Sequence, residues 1–204
     1  MNIEDRGQVR KPRSDGQRNR KRLVETAKAA FADVGPEVSL DEIARRAVVG
    51  IGTLYRHFPT RDAIVEAVYR REVDELAGAA TRLLASLSAG EALHQWMRLF
   101  VDYIATKKVI ASALGSIVGG ASELYASSGA RITEAVFLLV ERAGAAGEIR
   151  PDVNPKDLLR ALIGFTYGAD NVGWRPSALR LIDIFMDGLR PPEARAAPGQ
   201  GRDR

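Results

Sequence analysis

The stretch that decides the fold runs from Val38 to Phe58 and reads VSLDEIARRAVVGIGTLYRHF. Ser39 and Glu42 stand at the spacing of a capping box, in which the hydroxyl accepts a backbone N–H and the carboxylate reaches back to the cap. Leu40, Ile43, Ala44 and Ala47 follow at the i, i+3, i+4, i+7 spacing of one apolar helix face, over only two turns. Val48-Val49-Gly50 makes a short connection, and Ile51 to Phe58 supplies a second brief helix that Pro59 closes. Ile43, Ala44, Ala47, Val49, Leu54 and Phe58 form a small core able to hold the two helices at a fixed angle. Two short helices, a tight turn and a shared core are the parts of a helix-turn-helix.

Outward from this segment the sequence stays helical, and strand-type alternation never persists for more than a few residues. A first helix is predicted from about Arg18 to Val34, with Leu23, Ala27, Ala30, Phe31 and Val34 on one face and Gly35-Pro36 as its stop. Thr60 caps a long helix reaching about Leu87. Ser88 and Glu91 form a second capping box, opening a helix through Leu93, Trp96, Met97, Phe100 and Ile104. Further helices are expected at about 107–118, 122–145, 156–172 and 177–189. The fold class is therefore all-α. Its expected organisation is a disordered basic arm over 1–17, a three-helix DNA-binding domain over 18–65, a larger helical domain over 66–190 and a disordered tail over 191–204.

The 204 residues lack cysteine, which excludes disulfides, thiolate nucleophiles and thiolate metal sites. No run of about 18 apolar residues marks a membrane span, and the charged beginning MNIEDRGQVRKPR lacks the apolar stretch of a secretory signal. A cytoplasmic protein with no membrane association is expected. Residues 1–61 hold thirteen basic and eight acidic side chains, whereas the whole chain carries a net charge of only +4. The positive charge is thus concentrated at the N-terminal end, which suits a polyanion such as nucleic acid; a solubilising tail would look the same. Catalysis has little to draw on. His57 and His94 are the two imidazoles, neither stands in a metal-binding spacing, and no nucleophile elbow, P-loop or dinucleotide fingerprint is present. No enzyme activity, metal or cofactor is expected.

Within the second short helix, Thr53, Arg56 and His57 carry donors for phosphates or base edges. Tyr55 fits either the core or the DNA face, and Phe58 fits the core. Arg45 and Arg46 fit a solvated face, with Arg46 also a candidate for phosphate.

Val38–Ala47 followed by Val48–Phe58, continued by Pro59-Thr60-Arg61-Asp62-Ala63-Ile64 and preceded by Phe31-Ala32-Asp33-Val34-Gly35, resembles the TetR family of bacterial transcriptional regulators. The close resemblance covers about residues 20–70. It implies that Thr53 and His57 hold phosphates, that Tyr55 contacts DNA and that Ile51 and Gly52 face base edges. It also implies that Ser39 meets a phosphate and that Arg61 grips the backbone at the start of the fourth helix. Three positions depart from the family pattern: Gly50 replaces a polar cap, Ile51 a polar base-reading residue, and Val48 a glycine common in the turn. The basic residues Arg10, Lys11, Arg13 and Arg18 are expected to add nonspecific affinity.

The resemblance further implies a homodimer that binds a palindromic double-stranded operator as a repressor and is released by a small-molecule effector. Candidate effector contacts are Trp96, Phe100, Tyr103, Tyr125, Phe137, Phe165, Asn171 and Trp174, each of which also fits ordinary core. The last two helices would form the dimer interface through Leu158, Leu162, Leu181, Ile182, Phe185 and Met186. A ligand-independent or architectural DNA-binding protein is the alternative.

Overall fold

The computed structural model describes residues 12–115, 121–166 and 173–191. Among these the chain forms α1 (Pro12–Val34), α2 (Leu40–Arg46), α3 (Ile51–His57), α4 (Arg61–Leu84), α5 (Ala89–Val109), α6 (Ala111–Gly115), α7 (Ala121–Ala145), α8 (Pro155–Phe165) and α9 (Trp174–Leu189), with no strand. The all-α expectation holds. No described helix is long and apolar enough to cross a membrane. Contacts divide the chain into two units, Met1–Val68 with Val109–Ile117, and Tyr69–Lys108 with Val118–Arg204.

In the first unit α1, α2 and α3 pack on one another. Leu23, Ala27, Ala30 and Phe31 of α1, Ile43 and Ala44 of α2, Leu54 of α3 and Phe58 are all buried to 2% exposure or less. In the second unit α8 packs against both α7 and α9, and a chain of buried aromatic side chains from α4 and α5 lies in the interior. Trp96, Phe100, Tyr103 and Tyr69 stand in sequence with ring centroids 6.0, 5.8 and 6.3 Å apart. Trp96 Nε1 donates to the Leu76 carbonyl at 2.8 Å, so its one polar group is satisfied inside the core.

Helix boundaries differ from expectation where proline or glycine sits near an end. α1 begins at Pro12 rather than near Arg18, so the last part of the expected 1–17 arm is helical. Proline is tolerated in a first turn because its missing N–H would have no intrahelical acceptor, and Asp15 there complements the helix dipole and pairs with Arg18. α9 likewise starts at Trp174, ahead of Pro176 and not after it, with Gly173 left-handed at φ 88° as its cap. α5 runs to Val109, absorbing the start of the expected 107–118 helix. The expected extension of α8 to residue 172 lies outside the described residues.

Candidate nucleic-acid interface

Ser39 caps α2 from extended backbone (φ −70°, ψ 153°), its Oγ accepting the Glu42 N–H at 3.1 Å. The reciprocal half of the capping box does not form. Glu42 instead accepts from Arg45 at 2.7 and 2.9 Å and from Arg46 at 2.7 Å, and these guanidiniums, Arg46 first, hold its carboxyl below the usual carboxylate range. Arg46 also donates to Asp33 of α1 at 2.9 Å. Its guanidinium thus ties α2 to α1, a structural task that the sequence reading, with phosphate in view, missed because Asp33 lies thirteen residues away.

α2 ends in a Schellman motif. The Val49 N–H reaches the Ala44 carbonyl at 3.0 Å and the Val48 N–H reaches Arg45 at 3.1 Å. The motif needs a left-handed residue between them, and Val48 supplies it at φ 53° while 82% exposed. A β-branched side chain in that region is strained by about 1–2 kcal/mol relative to glycine. Gly50 then starts α3 without a side-chain cap.

α3 is short, and its one buried residue, Leu54, anchors it to the unit. Gly52, Tyr55 and Arg56 are exposed; Ile51, Thr53 and His57 are half-exposed. Tyr55, at 47% exposure, stands outside the core, whereas Phe58 at 1% belongs to it. Arg20 of α1 places its guanidinium carbon 4.9 Å from the Phe58 ring centroid. Ser39 is exposed at the start of α2. Arg61 has a partner within the unit: its Nη1 donates to the Val38 carbonyl at 2.7 Å, and Nη2 is buried with no partner among the described residues. It braces the segment leading into Ser39 and is half-buried there.

The candidates in the second unit separate in the same way. Trp96, Phe100 and Tyr103 are 5% exposed or less and serve as core, and the Tyr103 hydroxyl lies 3.2 Å from that of Tyr69. Phe137 is 40% exposed. Phe165 makes an edge-on contact with Phe185 at 5.4 Å, and Trp174 is half-buried at the start of α9. Asn171 and the side chain of Tyr125 lie outside the described residues. A cavity of about 280 Å³ opens elsewhere, among Ser88, Glu91, His94, Glu148, Asp183 and Asp187, and includes none of the aromatic candidates. Among the described residues no group of three or more His, Asp or Glu could hold a metal ion.

Of the expected interface residues, Leu158, Leu162 and Ile182 are no more than 2% exposed within their own chain and are corrected to core. The apolar surface of α8 and α9 is carried by Ile163 (52% exposed), Leu181 (40%) and Ile184 (67%), with Phe185 and Met186 half-buried. Sequence alone left this ambiguous, because Leu158/Leu162 and Leu159/Ile163 form two apolar pairs at the same i, i+4 spacing on adjacent stripes of α8.

Residues 23–68 match the bacterial regulatory proteins of the tetR family, and residues 88–191 match the C-terminal domain of SbtR-like transcriptional regulators. The latter match alone spans half of the chain. The chain belongs to the TetR family. Among solved structures, this TetR-family protein is similar to the TetR transcriptional regulator SCO0520 from Streptomyces coelicolor, at 42% identity and a TM-score of 0.77 over 85% of this chain and 99% of that one. It is also similar to the TetR transcription regulatory protein from Mycobacterium vanbaalenii, at 34% identity and a TM-score of 0.73 over 88% and 99%. A curated relative, the HTH-type transcriptional regulator SAR2658 of Staphylococcus aureus strain MRSA252, is 25% identical over 86% of this chain and 96% of its own. The family and these relatives are transcriptional regulators with a DNA-binding helix-turn-helix, and so is this chain.

Proposed function

We propose that this TetR-family regulator is a ligand-released repressor that binds a palindromic operator as a homodimer. The observation that carries the reading is the presentation of α3, with Leu54 fixed inward and Gly52, Tyr55 and Arg56 outward. A helix presented in this way fits the major groove. Thr53, His57 and Ser39 supply donors for phosphates, Tyr55 and Arg56 contact DNA, and Ile51 and Gly52 face base edges. Arg46 and Arg61 add positive charge for the DNA backbone while their hydrogen bonds to Asp33 and the Val38 carbonyl hold α2 in place. Arg10, Lys11, Arg13 and Arg18 add salt-sensitive affinity.

One such helix reads few base pairs, and two related by a twofold axis read a palindrome. Ile163 on α8 and Leu181 and Ile184 on α9, two helices that pack together, support dimerisation, since they leave large apolar side chains exposed that a second copy could cover. A small molecule bound within the second unit would release DNA by favouring a conformation that fits the operator less well. The burial of Trp96, Phe100 and Tyr103 as ordinary core fits a second reading, ligand-independent binding, which predicts that no compound affects DNA affinity.

The test is selection of genomic fragments by the purified protein, followed by a compound screen for release of the selected DNA. Enrichment of one inverted repeat and release by at least one compound are expected. Enrichment of no palindrome would overturn the operator reading. Sedimentation of Ile184→Glu should show monomers where the parent protein sediments as a dimer.

A further inference from the structure

The exposed surface of α3 has two unlike flanks. At 100° per residue, with Leu54 pointing inward, Gly52 and Arg56 lie on the outermost line, Thr53 and His57 on one side of it, and Ile51 and Tyr55 on the other. The first flank carries hydrogen-bonding groups at both positions. The second begins with Ile51, a half-exposed aliphatic side chain at the first residue of the helix. The outermost line begins with Gly52, where an added Cβ would meet nothing within 4 Å. The fold therefore does not require glycine at 52 for space. What its bareness provides is an approach: nothing projects ahead of the backbone beside Ile51.

The N-terminal residues of a recognition helix are the ones that meet base edges. Over the first turn of α3, Ile51 and Gly52 offer no side-chain donor or acceptor, so hydrogen-bonded readout of a base by either side chain is chemically closed. Of the groups exposed in the major groove, the C5-methyl of thymine is the apolar one. We infer that Ile51 is a specificity-determining residue that selects thymine in each operator half-site by packing on that methyl, with the bare Gly52 allowing the close approach. The inference rests on the operator reading above and adds to it the base identity at one position.

The experiment uses the full-length protein and the inverted repeat recovered by genomic selection, with each thymidine replaced in turn by deoxyuridine, which removes only the methyl. At one thymine and its symmetry mate, the replacement should weaken binding about fourfold per methyl group, from the usual value for burying one carbon. The penalty should persist in Ile51→Val and vanish in Ile51→Ala, while penalties at other thymines are the same in all three proteins. Because Ile51 is half-exposed, both variants should melt within a few degrees of the parent, and Ile51→Ser, which also removes the aliphatic contact and in which the penalty should likewise vanish, takes the place of Ile51→Ala if that variant does not fold. Indifference to uracil at every position, or a penalty that survives Ile51→Ala, overturns the thymine inference while the operator reading stands. Failure to recover any inverted repeat overturns both, and is seen before a single base is replaced.

Discussion

Two turns in this protein make the same pair of hydrogen bonds with different residues. After α2, the Val49 N–H reaches Ala44 and the Val48 N–H reaches Arg45, at 3.0 and 3.1 Å. After α7, the Glu148 N–H reaches Ala143 and the Gly147 N–H reaches Gly144, both at 3.0 Å. Each turn needs one left-handed residue. Gly147 meets that need at φ 69° with no side chain to obstruct it, whereas Val48 meets it at φ 53° with a β-branched one. The backbone geometry is therefore set by the hydrogen bonds closing the helix, and the residue in the special position decides only how much strain it carries.

The residues that follow also differ in reach. Val49 stays within its own helix pair. Glu148 crosses to the start of α5, accepting from Ser88 Oγ at 2.7 Å and from the Gly90 N–H at 2.8 Å. Those bonds, the Ser88 hydroxyl first, hold its carboxyl below the usual carboxylate range. One turn shapes the DNA-facing element locally; the other fastens two distant stretches of chain.

The largest effect should come from cutting that fastening. Glu148→Ala should lose about 2 kcal/mol in denaturant unfolding at neutral pH, since two hydrogen bonds to a charged group go at once at a partly exposed site. A loss under about 0.5 kcal/mol would show the contact to be incidental. Its pH dependence has a definite sign. A lowered folded-state pKa gives stability that is complete above the unfolded carboxylate value of about 4.3 and is lost as pH falls from there through the folded value. The difference between the parent and Glu148→Gln should therefore shrink on acidification across that window and stay constant from pH 6 to 8.

Gly147→Val should cost about 1–2 kcal/mol by forcing the α7 turn into the state that the α2 turn already occupies. The reverse exchange, Val48→Gly, should raise stability by about 1 kcal/mol, the relief of strain being partly offset by the extra freedom of glycine in the unfolded chain. Equal and opposite results would make the turns equivalent; a destabilised Val48→Gly would mean the valine has packing that its 82% exposure does not reveal. The smallest expected change belongs to Tyr55→Ala, within about 0.5 kcal/mol as for other surface sites, with a clear drop in operator affinity. If it unfolds the protein instead, Tyr55 is part of the core.

Much of the first unit was legible in the sequence because its determinants are local. The Ser39 cap, the inward stripe Ile43, Ala44, Ala47 and Leu54, and the stop at Pro59 all act within a few residues of one another. The second capping box shows where such reading ends. Ser88 does cap α5, its Oγ meeting the Glu91 N–H at 3.4 Å, but Glu91 turns to Gln95 at 2.7 Å and the second carboxylate at this helix start is Glu148, sixty residues from Ser88. Nothing in either local stretch signals that partnership.

The sequence by itself determined that the chain is helical, where its helix-turn-helix lies and which family it joins, because periodicity, caps and turn residues act over distances the chain cannot alter. Tertiary structure alone decided the use of residues whose local pattern admits two answers. It turned Arg61 and Arg46 toward internal partners, placed Trp96 and Tyr103 in the core, and left Ile163 and Ile184 outside while burying Leu158, Leu162 and Ile182. A side chain's burial and its partners depend on which distant surface arrives opposite it, and no periodicity within one helix carries that information.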